Sequence, residues 1–228
     1  MRRTAHRDNQ RGVSLLVVMV VVLLITLLTV WAARVALLNE KLAGNDSDHQ
    51  RAVEAAHAMV RDAELDIRGE RFDGSPCSPY ACRAAGASAV FPRSESEFQI
   101  LHGILVAGSP SCAAGICVSD RVPAQFWADD ATLAAMKPLA AAYGAHTGAM
   151  TGKSGNPLLS TSGGLHAWYW VEILPYDMSA AIAGGPAEGF APDSAAPFLY
   201  RITAVAQGLK PATQAVIQTT VVWKRLNS

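Results

Sequence analysis

An uninterrupted run of 21 uncharged residues, Val13 to Ala33, follows directly on an arginine-rich N-terminal segment that ends in Gly12. As an α-helix rising about 1.5 Å per residue, the run covers about 30 Å, which is the thickness of the hydrocarbon core of a bilayer. Trp31 lies near its far end, where an aromatic side chain suits the membrane interface. The run therefore predicts a membrane-spanning helix, and the rest of the chain must then lie on one side of the membrane or the other.

Residues 1–12 predict the orientation of this helix. They contain four arginines and one aspartate, and basic residues beside a span are retained on the cytoplasmic side. A secretory signal peptide fits less well, because its apolar part is roughly 7–15 residues long and residues 30–32 match its cleavage motif only weakly. We therefore expect a cytoplasmic N-terminus and a chain that continues outside.

The charge of the exported part argues against one class of partner. Residues 13–228 carry 15 Lys and Arg against 18 Asp and Glu, a formal net charge of −3. The sequence has no basic stripe of the kind that binds nucleic acid. Because the chain after the span is long enough for one globular domain, we predict one exported domain and no nucleic-acid partner.

A helical pattern continues beyond the span. Apolar residues at steps of three and four form one predicted face of a helix: Val53, Ala56, Val60, Ala63 and Ile67. The charged residues between them predict a solvated face, and we assign Asp62 and Asp66 to it rather than to an acid–base pair. Gly44 and Asn45 lower helix propensity and favour a local break, and Gly69 is the predicted stop.

The C-terminal part of the chain is rich in strand signals. Segments of β-branched, aliphatic and aromatic residues predict strands at 100–107, 165–174, 198–206 and 213–223. The alternation in the third of these fits an antiparallel strand with one covered face. The amphipathic helix supplies the cover, so the predicted fold class is α+β, with a helix packed on an antiparallel sheet.

Two further stretches complete the predicted head. Residues 131–143 favour a short helix, with Asp129 or Asp130 as N-cap and Pro138 dividing it. Gly, Ser, Pro and Ala dominate residues 144–164 and the connection between Pro175 and Pro197, which predicts long loops.

The four cysteines form two C-x4-C pairs, Cys77 with Cys82 and Cys112 with Cys117. In an exported chain an even number of cysteines indicates disulfides, and four cysteines allow three connectivities. We favour the two local pairs, because each closes a short loop that contains Pro or Gly. A zinc site of four thiolates is the alternative.

Several short stretches approach catalytic motifs without meeting them. Residues 147–154, TGAMTGKS, are close to a P-loop but begin with Thr147 and follow no predicted strand. Residues 162–166, SGGLH, lack a nucleophile elbow and a partnered acid. Trp168 and Trp170 share one strand face, which favours core or interface over a sugar platform. We therefore predict no catalytic residue, no metal site, no cofactor and no enzyme activity.

Residues 10–68 resemble a known family. A short basic leader ending in glycine, an apolar helix directly after it and an amphipathic continuation resemble a type IV prepilin. The segment LLNEKLAGNDSDHQRAVEAAHAMVRDAE resembles the PilX type of minor pilin, which has an E-[KR]-[ML]-A-G-N segment before an Ala-rich helix. LYRITAVAQG and AVIQTTVVW are similar to that family's closing pair of strands. The resemblance implies a pilin-like fold, in which one long helix has a transmembrane half and an amphipathic half.

The resemblance also implies a processing site. In prepilins a membrane-embedded peptidase cuts on the cytoplasmic side after the glycine and methylates the new N-terminus. On this chain the cut falls between Gly12 and Val13, and Val13 becomes the N-methylated first residue. Glycine suits the cut because a backbone without a side chain can enter a peptidase site closely. An uncleaved anchor is the alternative.

One position departs from the family pattern. Most pilins have glutamate as the fifth mature residue, where this chain has Val17. A carboxylate in lipid needs a partner, and Val17 cannot make the contact that such a glutamate makes. Some minor pilins and the tip pseudopilin of type II secretion share this absence, which favours a place at the tip or in the priming complex. Ser14, Thr26 and Thr29 are the polar candidates for contacts between assembly helices.

The resemblance therefore implies a minor pilin that primes assembly of a type IV pilus and sits at its tip. The predicted segments are the leader 1–12, the filament-core helix 13–35, its amphipathic continuation 36–69 and the periplasmic head 70–228. The implied partners are other minor pilins, the major pilin, a tip adhesin, the prepilin peptidase and the bacterial inner membrane, before the protein reaches the pilus and cell surface. A type II secretion minor pseudopilin and an uncleaved single-span periplasmic enzyme or sensor remain alternatives.

Overall fold

The computed structural model describes residues 11–77, 82–83, 90–108, 111–152, 155–160, 162, 164–178 and 191–222, with the backbone alone at residues 11–13. Its first described element is helix α1 (Arg11–Arg68). The chain divides into two compact units, Met1–Ser47 and Asp48–Ser228, and α1 contributes residues to both. The finer division into leader, span, continuation and head stays a prediction.

Helix α1 is continuous through Gly44 and Asn45, so the local break favoured by the sequence is not present. It ends as predicted at Gly69, which has a φ of +68°. The amide of Gly69 donates to the carbonyl of Asp66 at 3.0 Å, and the amide of Glu70 donates to the carbonyl of Leu65 at 2.9 Å. This is the Schellman arrangement, in which a left-handed glycine satisfies the last carbonyls of a helix.

Five strands form one sheet in the described part of the chain, in the order β1-β2-β3-β4-β5. They are β1 (Cys112–Ala113), β2 (Ile116–Val118), β3 (Ala167–Pro175), β4 (Phe198–Gln207) and β5 (Gln214–Val222). The three long strands are antiparallel to one another, whereas β2 runs parallel to β3. The predicted α+β, pilin-like fold is confirmed, with a sheet that is mixed because of this one parallel pair.

The predicted strand at 100–107 is wrong, because this segment belongs to helix α2 (Glu95–Val106). The Ser94 hydroxyl caps the helix by accepting a hydrogen bond from the amide of Glu97. Phe98, Leu101 and Leu105 then fall on one buried face at helical spacing. The Ser-x-x-Glu sequence at 94–97 was the available signal, since it marks the start of a helix.

The short helix was predicted correctly in its cap and in its division. Helix α3 (Asp130–Met136) begins after Asp129, whose carboxylate accepts a hydrogen bond from the amide of Thr132 at 2.8 Å. A separate 3₁₀ turn, Lys137–Leu139, follows it and contains Pro138. Proline cannot donate to the helix ladder, which explains why the segment falls into two pieces.

The sheet is covered on both faces by separate apolar clusters. Even-numbered residues of β4 and odd-numbered residues of β3 join α1 and α2 in the larger cluster, which includes Tyr169, Tyr200 and Ile202. On the opposite face, Trp168 and Trp170 pack with α3 and the Phe126–Ala128 turn. Both tryptophans are therefore core residues, as the sequence favoured. Covering of both faces also explains why the second half of β4 does not alternate in burial.

Candidate functional site

The apolar segment of α1 presents its side chains outward on every side. From Leu15 to Trp31 the large apolar side chains are between 46% and 74% exposed. This is the one helix in the described residues that is long and apolar enough to cross a membrane. Burying such side chains is favourable at about 25 cal/mol per Å² of apolar surface, so the segment is suited to lipid or to other helices.

The polar candidates on this segment are partly satisfied within the helix. Thr26 donates its hydroxyl hydrogen to the carbonyl of Leu23, and Thr29 donates to the carbonyl of Thr26, both at 2.8 Å. Each hydroxyl oxygen can still accept a hydrogen bond. Ser14 and Val17 are exposed. The contacts of these four residues with other helices remain predictions.

The predicted processing site lies where α1 begins. Gly12 and Val13 are in its first turn, and residues 1–10 of the predicted leader lie outside the described residues. Cleavage between Gly12 and Val13 and methylation of Val13 remain predictions.

Three carboxylates of α1 are buried in the head. Asp48, Asp62 and Asp66 are 2%, 2% and 5% exposed, which corrects the assignment of Asp62 and Asp66 to a solvated face. The buried face is built mainly from small residues, among them Ala52, Ala55 and Ala56 at 0% exposure. Small side chains let the helix lie close to the sheet, and each buried carboxylate then meets donors from a different part of the chain.

Asp66 is held by a cation and by a tyrosine hydroxyl. Arg83 donates from Nε to Oδ1 at 2.9 Å and from a terminal nitrogen to Oδ2 at 2.6 Å. The Tyr169 hydroxyl on β3 donates to Oδ2 at 2.7 Å, and burial raises the pKa of Tyr169 well above its usual range. Arg83 also reaches the carbonyl of Ala114 at 3.0 Å. This ion pair therefore ties α1, the sheet and both cysteine loops together.

Asp62 is held by neutral donors from a single loop. Its carboxylate accepts hydrogen bonds from the Gly144 amide at 2.8 Å and from the buried Thr147 hydroxyl. Burial raises the pKa of Asp62, and the nearby charge of Asp66 acts in the same direction. The contact also explains Thr147, the first residue of the P-loop-like stretch, because its hydroxyl has a structural partner. Positions 153–154 of that stretch lie outside the described residues.

Asp48 anchors α1 to the turn between β4 and β5. Its two carboxylate oxygens accept the amides of Leu209 at 3.1 Å and Lys210 at 3.0 Å. The bond from Lys210 is the leading reason why the pKa of Asp48 is lowered. The approach needs Gly208, because a Cβ atom there would lie 2.3 Å from an Asp48 carboxylate oxygen.

The cysteines form the two local disulfides that sequence analysis favoured, Cys77 with Cys82 and Cys112 with Cys117. The second disulfide joins β1 to β2 across the register pair that these cysteines occupy. All four sulfurs are thus bonded to sulfur, so the zinc alternative does not fit. The first disulfide lies directly before Arg83, the partner of Asp66.

Sequence analysis missed these polar contacts because they join distant parts of the chain. Arg83 lies 17 residues from Asp66 and Tyr169 lies 103 residues from it. A second missed pair joins Glu172 on β3 to Arg201 on β4, with a shortest distance of 2.6 Å. The one available signal was helical spacing, since Asp62 and Asp66 stand four residues apart in an alanine-rich stretch.

A long helix with an exposed apolar first segment and a second segment packed on a covered sheet is the arrangement expected of a membrane-anchored pilin. Two protein-family matches specify the class further: PilX N-terminal over residues 11–60, and type IV pilus assembly protein PilX C-terminal over residues 81–223. The chain therefore belongs to the PilX family of type IV pilus minor pilins, whose members are structural components that interact with other pilus components. No curated protein and no solved structure matches the chain.

Proposed function

We propose that this minor pilin primes assembly of a type IV pilus and sits at its tip. It is inserted in the bacterial inner membrane with a cytoplasmic N-terminus, cut between Gly12 and Val13 by the prepilin peptidase and methylated at Val13. Its head stays in the periplasm until assembly moves it to the cell surface. Its partners are other minor pilins, the major pilin and a tip adhesin.

The observation that carries this proposal is the uniform exposure of apolar side chains from Leu15 to Trp31. A helix that is apolar all round is stable only when lipid or other apolar helices surround it. In lipid, association between such helices relies on close packing and on occasional polar groups. The segment is therefore equally suited to the membrane and to a bundle of pilin helices, which is what transfer from one to the other requires.

Val17 supports the tip and priming roles. A subunit in the shaft has a neighbour on both sides along the filament, and the glutamate of most pilins pairs with the terminal amine of a neighbour. Val17 is uncharged, so it cannot form this ion pair with the terminal amine of a neighbouring subunit. A tip position, where one neighbour is missing, is compatible with this loss.

The test is mass spectrometry of the N-terminal peptide, on protein purified both from inner membranes and from sheared surface filaments. The expected peptide begins at Val13 and carries one methyl group. A chain that still begins at Met1 in cells with active prepilin peptidase would refute the proposed processing. Labelled protein spread along the whole filament shaft would refute the tip position.

A type II secretion minor pseudopilin is the second candidate, and Val17 is the observation that favours it. Both candidates predict the same methylated N-terminus, so they are distinguished by the assembly in which the protein is found. Recovery from sheared filaments supports the pilus, whereas loss of protein secretion without loss of pili on deletion supports the pseudopilin. An intact N-terminus together with hydrolytic activity would instead indicate an uncleaved periplasmic enzyme or sensor.

A further inference from the structure

The last strand of the sheet, β5, is an edge strand with a regular backbone. It is the terminal strand in the order of the described sheet. Its nine residues pair with β4 in an unbroken register, from Leu199 opposite Val222 to Gln207 opposite Gln214. A β-bulge would interrupt that register and turn the strand away from a neighbour, and β5 has none.

Hydrogen bonds at the turn between β4 and β5 show which backbone groups face outward. The amide of Gly208 donates to the carbonyl of Thr213 at 2.8 Å, so Thr213 faces β4. Successive residues of a strand alternate in direction, and the next residues facing β4 are odd-numbered. The amides and carbonyls of Val216, Gln218, Thr220 and Val222 therefore point away from β4. We call these four residues the open edge.

The groups of the open edge have no backbone partner within the described part of the chain. The side chains of Gln218 and Thr220 are exposed, and those of Val216 and Val222 are half-buried. A row of outward amides and carbonyls at this spacing matches the backbone of one more extended strand. The open edge can therefore form backbone hydrogen bonds with an additional strand.

The sequence of β5 lacks the features that normally protect such an edge. Exposed edges are usually shortened, bulged, or given charged residues or proline. The strand QAVIQTTVV has no charged residue, no proline and no glycine. The opposite edge of the described sheet is protected, because β1 has only two residues and a disulfide holds it to β2. The two edges are therefore built differently.

We propose that the open edge of β5 accepts an extended, uncharged strand from another pilus component, which adds a sixth strand to the sheet. Strand addition of this kind obtains affinity from main-chain hydrogen bonds and selectivity from alternate side chains. An uncharged strand is the matching occupant, because β5 offers no charge to pair with one. The inference deepens the proposed function, since it rests on the protein acting by contact with other pilus components.

Hydrogen exchange of single amides tests the proposal directly. The full chain is measured in detergent micelles and again in the complexes or filaments in which it assembles. In micelles, the amides of Val216, Gln218 and Thr220 are expected to exchange faster than those of Ile217 and Thr219, which face β4. Assembly is expected to slow the first group about tenfold or more, with little change in the second. Unchanged exchange in the assembled form would overturn the proposal.

A pair of proline variants provides a matched control. Thr220→Pro removes an outward amide, which an edge strand tolerates, so the head is expected to fold while incorporation into the assembly falls about tenfold or more. Thr219→Pro removes an amide that faces β4 and is expected to damage the fold itself. Thr220→Lys places a charge on the open edge without altering the backbone. Gln99→Lys is its control, because it adds the same charge on the exposed side of helix α2 and is expected to leave incorporation unchanged. Normal incorporation of folded Thr220→Pro and Thr220→Lys would refute strand addition.

Other occupants give different results. Copurification of two differently tagged copies through this edge would identify a second copy of the chain instead of another component. Slow exchange of the open edge already in micelles would show that this chain covers it. Either result overturns the proposal. Normal N-terminal processing in a Thr220→Pro variant that fails to incorporate would separate a failure of docking from a failure of the proposed pilin pathway.

Discussion

The two parts of helix α1 follow opposite rules of burial. From Leu15 to Trp31 the helix is apolar on every side, and its large side chains are exposed. From Asp48 to Arg68 it buries alanines together with three carboxylates, and it exposes charged residues such as Glu54. One continuous secondary structure therefore carries one segment suited to contacts with other molecules and another suited to contacts within its own chain.

The two segments also differ in how strongly their contacts depend on exact position. Van der Waals contacts between apolar helices are individually weak, which suits the proposed transfer of this segment from lipid to a filament. Hydrogen bonds to buried carboxylates depend strongly on position, because a displaced charge loses its compensation. We therefore expect substitutions in the second segment to destabilise the head, and substitutions in the first to change assembly while leaving the head intact.

The largest expected effect on stability follows from removing the partner of Asp66. Arg83→Ala leaves a buried carboxylate without its cation and next to a second carboxylate, Asp62. Breaking a buried ion pair in this way costs about 3–5 kcal/mol. Denaturant unfolding of the full chain in detergent micelles, followed by tryptophan fluorescence, measures the change. The control is Arg61→Ala on the exposed side of α1, for which a change within about 0.5 kcal/mol is expected. Equal losses in the two variants would show that this ion pair does not hold the head.

The sequence was sufficient for features that depend on local patterns. The long apolar helix, the end of α1 at Gly69, three long strands and the cap of α3 each follow from neighbouring residues. The strand predicted at 100–107 was wrong because its apolar residues suit either a strand or a helix, and the Ser94 cap decided the outcome. The burial of Asp62 and Asp66 was missed because their donors come from loops far along the chain.

Asp48 offers the next largest effect and one with a defined pH dependence. Its pKa is lowered in the folded head, so its contribution is present above the unfolded pKa of about 3.9 and is lost as the pH falls through the folded value. Asp48→Asn is expected to cost about 1.5–3 kcal/mol at neutral pH, the range for hydrogen bonds to a charged group. The difference from the parent protein should shrink on acidification. A constant difference from pH 7 to pH 3 would contradict this origin.

Substitution of Gly208, the glycine beside Asp48, is expected to change stability by a similar amount. Gly208→Ala places a methyl group 2.3 Å from a carboxylate oxygen and 2.6 Å from Thr213 Cγ2, so overpacking is expected to cost about 1–3 kcal/mol. Gly103→Ala on helix α2 meets no atom within 4 Å and is expected to stabilise by about 0.5–1 kcal/mol. Thermal unfolding of both variants measures the opposite signs. A loss of stability in both would mean that helix α2 does not tolerate a Cβ atom at that position.

A smaller effect with the opposite pH dependence is expected at Asp62. Burial raises its pKa in the folded head, so its contribution to stability is complete below the unfolded pKa and is lost as the pH rises through the folded value. Asp62→Asn keeps an acceptor for Gly144 and removes the charge. Its stability relative to the parent protein should therefore increase from pH 3 to pH 7, whereas that of Asp48→Asn should decrease. Parallel pH profiles for the two variants would show that the two carboxylates do not differ in this way.

The smallest effect on stability, and the sharpest contrast between the two segments, is expected at Val17. Val17→Glu lies in the exposed apolar segment, so unfolding of the head should change by less than about 0.5 kcal/mol. A carboxylate in lipid is unfavourable without a partner, and the methylated amine of a neighbouring subunit would supply one along a filament. Labelled Val17→Glu protein is therefore expected along the shaft, with Val17→Leu as the control that keeps the parent distribution. If Val17→Glu keeps the parent distribution too, the missing glutamate does not set the position of this pilin, and the head must do so.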